Sequence, residues 1–503
     1  MSPSLAVLAF AIGVCGLFYL DRDKSAHPSK ALWLPVIWLW TNAGRSPSAW
    51  FGMDMMAEGA GQLPDTSLLD QSVAGALMLI GLFVLYGRRK QVKALLRRSW
   101  PITLFFGFAL ASLVWSDFPV WGFKRWVRAS GELSMVLILA TESQPAAALS
   151  RFLSRVGFVL LPFSVMLIKY VPHLGRGYDQ WGLQTNVGVT SNKNTLGVLV
   201  YVATVGACWQ LLGLLRDRKQ PNRNGRLVAQ SVLLGFGIQL LIAARSATSI
   251  ACFGLGAMLL ILSSFGIIRR RPSYLHAIAA TILIVGTGIM LSGGRAEVVG
   301  ALGRNSDFTG RTQVWEALIP MAPNMLLGAG FETFWLGPRV EKLRSVFGFI
   351  NESHNGYLEV YLNLGLVGLC LLAVMLIQGY RTAAAAFRHD PGLGSLLIAF
   401  VFTAAFYSVT EAGFRMLIPI WFFLLLSIVT AARVGAVDLP VLAIQDQQAD
   451  RGYGKGSYFV RRRAEQGAAF DAADSSSARA CYKKPARSRP REQRALRGGT
   501  YGL

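Results

Sequence analysis

Charged residues are scarce in this chain. Asp, Glu, Lys and Arg make up only 15% of its 503 residues, against roughly 25% in an ordinary soluble domain. Hydrophobic residues account for 53%. Apolar runs of about the 20 residues that a bilayer core requires recur from Ser2 to Ala432. These features exclude an ordinary soluble protein and indicate that lipid is the solvent for most of the chain.

Cysteine is also rare, and the cysteines are not spaced like the ligands of a metal site. Of the five cysteines, Cys481 lies near the end of the chain and four lie inside apolar runs: Cys15, Cys208, Cys252 and Cys370. This pattern predicts neither a disulfide framework nor a zinc site. No Walker motif, DxD-type carboxylate pair, HExxH or GxSxG occurs, so nucleotide-driven transport and metal-dependent transfer lack residue support. We therefore expect no metal and no cofactor.

Acidic residues are outnumbered by basic ones, 27 to 50, which gives a net charge of +23. The basic residues cluster in short loops between apolar runs, where positive charge sets the orientation of membrane helices. We expect three such loops in the cytoplasm: Arg88 to Arg98, Arg216 to Arg226, and Arg269 to Arg271. An even number of apolar runs separates successive loops, so all three predict the same orientation. No nucleic-acid partner is expected.

The apolar runs predict an all-α fold, a polytopic transmembrane bundle of about 12 to 13 helices. The runs are 2–20, 30–43 (a short one), 68–86, 100–116, 120–141, 152–172, 195–215, 227–243, 248–268, 274–292, 356–378, 394–410 and 416–432. They divide the chain into an N-terminal transmembrane bundle, a long periplasmic loop, C-terminal transmembrane helices and a basic, disordered cytoplasmic tail. The corresponding ranges are 1–292, 293–355, 356–432 and 433–503. Attraction to anionic lipid is the role expected for the tail.

The long loop before residue 356 is too rich in Trp, Phe, Leu and Gly to be a solvated linker. We expect it to fold against the membrane surface. Within it, the segment Thr312 to Met321 places four apolar side chains on one helical face: Val314, Trp315, Leu318 and Ile319. This pattern predicts an interfacial helix.

Three residues on the expected external face are the main candidates for chemistry, because charged groups at membrane depth are costly. Arg245 lies in AARSATS, Arg311 lies in TGRTQVWEALIP after a glycine, and His354 lies in ESHNGYLEV beside Glu352 and Asn355. Ordinary interpretations stay open for each. The arginines can be snorkelling or surface residues, and the histidine can cap the next helix.

Further candidates for substrate binding lie on the same face. They are Lys193, Lys124, Arg128, Glu352, Asn355, Glu411 and Arg415. The basic residues of DFPVWGFKRWVRASGEL oppose the positive-inside bias. They belong either to an amphipathic interfacial helix or to an electropositive wall that faces an anionic lipid head. The two charged residues of TEAGFR either pair with each other or contact substrate.

Together these segments resemble the superfamily of O-antigen ligases and Wzy-type polymerases, especially its exopolysaccharide-polymerase branch. The resemblance is carried by KALWLPVIWLW, LVWSDFPVWGFKRW, GVTSNKNTLG, ARSATS, GRTQVWEALIPMAPNMLLGAGFETFW and SHNGYLEVYLNLGLVG. It implies a bacterial inner-membrane glycosyltransferase with a periplasmic active face. It also implies a polyprenyl-pyrophosphate-linked oligosaccharide as donor, a saccharide acceptor, and neither nucleotide sugar nor metal. Arg245, Arg311 and His354 match residues that matter in the family, whereas Asn192 departs from a histidine that relatives often carry.

The chemistry of these residue types fits that reaction. Displacement of a pyrophosphate from an anomeric carbon needs cations, and guanidinium groups bind phosphate oxygens bidentately, so Arg245 and Arg311 suit that role. The acceptor hydroxyl needs a base near neutral pH, for which His354 is the first candidate and Glu352 the second.

Polymerisation of surface polysaccharide repeat units is the favoured function. One alternative is an O-antigen ligase that joins glycan to a lipid A-core acceptor. A second is a lipid-linked oligosaccharide flippase, which predicts charges deep within several helices, and a third is a scaffold for other polysaccharide-synthesis proteins. The interiors of the apolar runs hold few ionisable groups, which disfavours the flippase.

Overall fold

The computed structural model describes most of the chain up to residue 435, in a single compact unit. The described ranges are 3–23, 29–52, 67–178, 182–291, 308–348 and 350–435. The expected cytoplasmic tail and the first part of the long loop lie outside these ranges. The division of the chain into four regions therefore stays a prediction.

The first part of the chain forms helices and one small hairpin. The helices are α1 (Pro3–Leu20), α2 (Trp33–Ala43), α3 (Pro47–Trp50), α4 (Leu68–Gly87), α5 (Arg89–Arg98), α6 (Trp100–Ala111), α7 (Pro119–Ala140), α8 (Pro145–Tyr170), α9 (Pro172–Gly175), α10 (Lys193–Arg216), α11 (Arg223–Ala244), α12 (Ala247–Ser264), α13 (Gly266–Arg270) and α14 (Ser273–Leu291). Antiparallel strands β1 (Arg176–Tyr178) and β2 (Gln184–Asn186) form the hairpin between α9 and α10.

The second part contains α15 (Phe308–Leu318), α16 (Pro338–Phe347), α17 (Gly356–His389), α18 (Pro391–Tyr407) and α19 (Pro419–Val434). Single turns of 3-10 helix lie at Lys30–Leu32, Ser112–Trp115 and Ile319–Met321. Every apolar run in the sequence thus corresponds to a helix. The all-α fold is confirmed.

Six of the described helices are long and apolar enough to cross a membrane: α4, α8, α10, α11, α12 and α17. Shorter apolar helices lie at Ser4–Leu20, Trp100–Trp115, Ser273–Val285, Pro391–Tyr407 and Pro419–Val434. The chain is a multi-pass membrane protein. Helix α19 is buried on all sides from Pro419 to Ala432, which is the pattern of a helix at the centre of a bundle.

The long loop packs into a break in α17. Gly365 has φ 64°, and a Cβ there would lie 2.2 Å from the carbonyl oxygen of Leu326. The loop backbone bonds the groups that the break leaves open, since Leu366 N–H donates to Met325 O at 2.9 Å and Ala329 N–H donates to Leu362 O at 3.0 Å. A broken helix is tolerated at membrane depth only where such bonds are supplied. The loop is therefore an integral part of the bundle.

The predicted interfacial helix is present as α15, but its apolar face is narrower than expected. Leu318 is fully buried, and Val314 packs against the same apolar cluster. Ile319, predicted to share this face, is 49% exposed. Ile319 begins the 3-10 turn that follows α15, and contact of this apolar face with the membrane surface stays a prediction.

The two ends of the bundle differ in charge. The three basic segments lie on one side of the bundle, here called the basic end: Arg88 to Arg98, Arg216 to Arg226 and Arg269 to Arg271. The first was expected to be a loop, but Arg89–Arg98 forms helix α5. The other side, where α10 begins at Lys193 and α17 begins at Gly356, is called the site end. All external candidates with described side chains lie at the site end.

Candidate functional site

His354 lies between two carboxylates at the entrance to α17. Its Nδ1 is 2.8 Å from Glu352 Oε1 and 3.5 Å from Glu411 Oε2. Both are contacts between an imidazole nitrogen and a carboxylate oxygen, which become ion pairs when the imidazole is protonated. The imidazole is 34% exposed, and the Glu411 side chain is 8% exposed. The histidine is therefore reachable from the site end, while Glu411 is largely buried and Glu352 is partly exposed.

These neighbours change the protonation of His354. Burial by itself lowers the pKa of the imidazole, but the contacts with Glu352 and Glu411, and then their charges, raise this pKa to about 9. An opposite charge at this distance favours the protonated form. His354 is therefore an imidazolium at neutral pH, and not the half-protonated base that an unperturbed histidine would be.

The backbone at His354 is held by its neighbour Ser353. His354 has φ 51°, a left-handed conformation that is costly for a residue with a Cβ. Ser353 N–H donates to Glu359 Oε1 at 2.5 Å, and Ser353 O accepts from Trp315 Nε1–H at 2.7 Å. The second oxygen of Glu359 accepts from Trp335 Nε1–H at 2.9 Å. Bonds on both sides of Ser353 keep His354 in its strained conformation.

The bond from Trp315 also places the turn that contains Arg311. Arg311 precedes Trp315 by four residues in α15, and residues with this spacing lie on one face of a helix. Only the backbone of Arg311 belongs to the described part of the chain. The structure brings this turn beside Ser353, next to His354, although the two lie at opposite ends of the long loop.

Asn355, and not His354, caps α17. Its Oδ1 accepts from Tyr357 N–H at 3.0 Å and from Leu358 N–H at 3.1 Å. Asparagine is among the strongest N-cap residues. The sequence left open that His354 caps this helix. Asn355 has the capping role instead, so the imidazole is available for another role.

Arg415 joins the site to the long loop. Its Nε is 3.5 Å from Glu332 Oε2, and its Nη1 is 3.8 Å from Glu352 Oε2. Burial alone would lower the pKa of this guanidinium. The charges of Glu332, Glu359 and Glu352 outweigh that effect, so the pKa lies above its ordinary value. Arg125 in α7 donates to the carbonyl oxygen of Glu332. Arg415 therefore belongs to a charge network that connects three parts of the chain: the loop between α18 and α19, the long loop, and α7.

Loss of Arg415 should destabilise this network. We expect Arg415→Gln to lower the free energy of unfolding by about 3 kcal/mol, because Glu332 keeps its charge in a largely buried position. Thermal unfolding in detergent measures the effect, with Arg381→Gln, an exposed residue of α17, as the control. Adding Glu332→Gln should restore part of the loss. An unchanged unfolding temperature in Arg415→Gln would show that the network contributes nothing.

Arg245 lies at the same end, in the turn between α11 and α12. It ends α11 with φ 50°, and its side chain is exposed. The start of α12 packs against the first turn of α10, since a Cβ on Gly197 would lie 2.5 Å from Ser249 Oγ. In that turn of α10, Asn194 Nδ2–H donates to Glu411 Oε2 at 3.3 Å. Contacts through α10 thus connect the Arg245 turn with the carboxylate beside His354.

Lys193 and Asn192 mark the beginning of α10. The Asn192 side chain caps the helix by accepting from Thr195 N–H at 2.8 Å. The position where relatives often carry histidine therefore has a helix-capping role here. Lys193 follows it, half-buried, at the site end.

The basic residues of α7 belong to one continuous helix of the bundle. Lys124 Nζ lies 4.6 Å from the centre of the Trp121 ring, and Arg128 Nη2 donates to Asn42 Oδ1 at 3.0 Å. The helix continues to Ala140, and its second half is largely buried. These cations line the site end next to α2.

Some residues of the site were not singled out from the sequence. Among them are Glu332, Glu359, Trp335 and Asn194. A signal existed for Glu359, because a carboxylate a few residues inside an apolar run is costly unless it is bonded. No local signal existed for Glu332 or Asn194, since their partners are distant in sequence.

Three ligand atoms, one each from Glu352, His354 and Glu411, lie within 4.8 Å of one another. This spacing is compatible with a divalent metal ion. It is equally the spacing of an imidazolium between two carboxylates. A metal ligand must be a neutral imidazole, so metal binding at these three groups would compete with protonation of His354.

The protein is an all-α, multi-pass bundle. At one end it carries the turns that contain Arg245 and Arg311 and a histidine, His354, between two carboxylates. It is therefore a membrane protein with a polar site at one end of its bundle. Residues 231–373 match the family model described as O-antigen ligase. This region therefore resembles the O-antigen ligase family. It contains Arg245, Arg311, Glu352 and His354, whereas Glu411 lies beyond it.

A curated relative supports the exopolysaccharide branch. The chain is 25% identical over 285 residues to the "Exopolysaccharide production protein ExoQ" of Rhizobium meliloti (strain 1021). The alignment covers 54% of this chain and 62% of the relative. The resemblance inferred from the motifs is confirmed: this membrane protein is similar to O-antigen ligases over part of its length and to an exopolysaccharide production protein over about half of it.

Proposed function

We propose that this protein is a glycosyltransferase that polymerises polysaccharide repeat units at the periplasmic face of the bacterial inner membrane. The donor is a polyprenyl-pyrophosphate-linked oligosaccharide, and the acceptor is a hydroxyl of a second saccharide. The reaction uses no metal. The observation that carries the proposal is the meeting of the Arg245 turn, the Arg311 turn and the His354 carboxylate pair at the end of the bundle opposite the basic loops.

The residues of this chain can account for each part of the reaction. The acceptor oxygen forms a bond to the anomeric carbon, while the bond from that carbon to the pyrophosphate breaks. His354 takes the proton of the acceptor hydroxyl, and Glu352 and Glu411 stabilise the resulting imidazolium. Arg245 and Arg311 bind the oxygens of the leaving pyrophosphate, where bidentate charge-assisted bonds are strong.

Polymer formation in detergent tests the proposal against the flippase. Purified protein is mixed with lipid-linked repeat units and EDTA, and chain length is followed on gels. Chain growth is expected, since the transfer needs no bilayer to separate two compartments. A flippase produces no chain growth in this assay. A ligase attaches one glycan to a lipid A-core acceptor, which is added in a parallel reaction.

The pH dependence of chain growth should follow His354. With a pKa of about 9, only about 1% of the imidazole is neutral at pH 7, and the neutral form is the one that accepts a proton. The rate should therefore rise about tenfold per pH unit from pH 7 and level off near pH 9. In Glu411→Gln, the plateau should shift to lower pH because one counter-charge is removed. A flat profile would assign the base to a carboxylate instead.

Trp315 should act as a positioning residue. Trp315→Phe removes the N–H that bonds Ser353 while keeping an aromatic ring, so the turn of Arg311 loses its register against His354. We expect a loss of about tenfold in the rate of chain growth, with little change in the pH at which the rate levels off. Trp209→Phe, at the basic end, is the matched control. Equal rates for wild type and Trp315→Phe would remove the positioning role.

A further inference from the structure

A polar cavity of about 320 Å³ lies at the basic end of the bundle, away from His354. The ends of α1, α8, α10, α11 and α18 surround it. In α10, Asn194 contacts Glu411 at the site end, whereas Gln210 lines the cavity. With a rise of 1.5 Å per residue, these two positions are about 24 Å apart along the helix. The cavity is thus separate from the proposed transferase site.

Two arginines form a cationic side of this cavity. Arg226 Nε lies 3.7 Å from Asp21 Oδ1, and Arg226 Nη1 lies 3.6 Å from Asp23 Oδ2. Arg151 donates to the carbonyl oxygens of Asp21 at 3.0 Å and Asp23 at 2.8 Å. The buried Nε of Arg226 has no hydrogen-bond acceptor among the described residues. Guanidinium groups held in place beside a cavity suit an oxyanion such as a phosphodiester.

An acidic and aromatic side completes the lining. Asp390 caps α18 by accepting from Leu393 N–H at 3.0 Å, and Trp209 donates to Gly392 O at 2.7 Å. The Asp390 carboxylate and the Trp209 indole both line the cavity, together with Asp23. Carboxylates beside an aromatic ring are the groups that recognise an ammonium.

The polar groups behind the cavity are rigidly connected. Gln230 is fully buried, and its Nε2 donates to Asp21 Oδ1 at 3.2 Å and to Ser154 Oγ at 3.0 Å. Gln210 accepts from Ser150 Oγ–H at 2.6 Å. The lining is therefore built in advance, which lowers the entropy cost of binding a small charged ligand.

We propose that this cavity binds the headgroup of a zwitterionic phospholipid, with the phosphate on Arg151 and Arg226 and the ammonium towards Asp23 and Asp390. The position supports a lipid and not a soluble ligand, because tryptophan and arginine at the ends of apolar helices mark the level of the headgroups. The cavity volume lies at the lower end of the range for small-molecule sites. The paired charges distinguish this site from the general attraction of basic loops for anionic lipid.

Lipid retention by the full-length protein tests this proposal. The protein is placed in nanodiscs that contain equal amounts of phosphatidylethanolamine and phosphatidylglycerol, then released, and its tightly bound lipids are counted by native mass spectrometry. Wild type should retain phosphatidylethanolamine about tenfold over phosphatidylglycerol. The double variant Asp23→Asn, Asp390→Asn should lose this preference. Asparagine keeps the helix cap of α18, so the variant changes charge and not the fold.

Asp117→Asn, an exposed carboxylate at the site end, is the matched control and should keep the preference. Equal retention of the two lipids by wild type would overturn the proposal, as would an unchanged preference in the double variant. In either case the ion pairs of Arg226 with Asp21 and Asp23 serve only to stabilise the packing of the helix ends. Soluble phosphoethanolamine should compete with the lipid. If it binds while no lipid is retained, the ligand is a free solute and the lipid assignment fails.

Discussion

Replacement of His354 by alanine is expected to reduce chain growth by about 10²- to 10⁴-fold, the range typical of a lost general base. The variant removes the proton acceptor and leaves the negative charges of Glu352 and Glu411 without the imidazolium that lies between them. Those carboxylates then repel a pyrophosphate donor, so donor affinity should fall as well. The rate of polymer formation in detergent and the KM for donor measure the two effects separately.

A matched control for this variant exists on the same helix. His389 ends α17 at the basic end, where its side chain is exposed, and His389→Ala should polymerise like wild type. Rescue is also informative. In the double variant His354→Ala, Glu411→Gln, the donor affinity should recover while the rate stays low, because only the repulsion has been removed. Normal chain growth in His354→Ala would exclude His354 as the base.

Arg311→Ala and Arg245→Ala should each lower chain growth by about 10²- to 10³-fold, the usual loss for one donor that stabilises developing charge. Lysine at either position should recover only part of the rate, because it keeps the charge but not the bidentate geometry. A scaffold protein would tolerate all four substitutions. Accumulation of lipid-linked repeat units in cells that carry the alanine variants provides the second measurement.

The control for the arginine variants is Arg381→Ala, which removes one exposed cation from the later turns of α17. Its rate should equal that of wild type. If Arg381→Ala lowers the rate as much as Arg311→Ala does, the effect reflects general charge or expression. If donor accumulates on the cytoplasmic side in Arg311→Ala cells, the transferase assignment fails in favour of a flippase.

The protonation of His354 is where the structure changes the chemical argument most. The sequence alone offered a histidine with an ordinary pKa near neutrality, with Glu352 as a reserve base. Glu411 lies beside the same ring, and the two carboxylates together raise the pKa to about 9. The catalytic role of His354 stays a prediction, but it now carries a defined pH dependence.

Several site residues show how far a sequence can be taken. Arg245, Arg311 and His354 stand in short motifs, and the structure brings their backbone segments to one end of the bundle. Arg415 was expected to pair with Glu411 or to contact substrate. The structure places it beside Glu332 and Glu352, and its contact with substrate stays a prediction. Glu332 itself gave no signal, because its role depends on an arginine in α7 and another in the last loop.

The amino-acid sequence by itself determined the membrane location, the all-α class and the position of each apolar helix, because the length and polarity of an apolar run are local properties. It also determined which short segments carry unusual polar residues. Only the tertiary structure decided that the long loop fills the break at Gly365 and that Trp315 bonds Ser353. The pairing of Glu411 with His354 likewise depends on how α10, α17 and α18 pack, which no local pattern encodes.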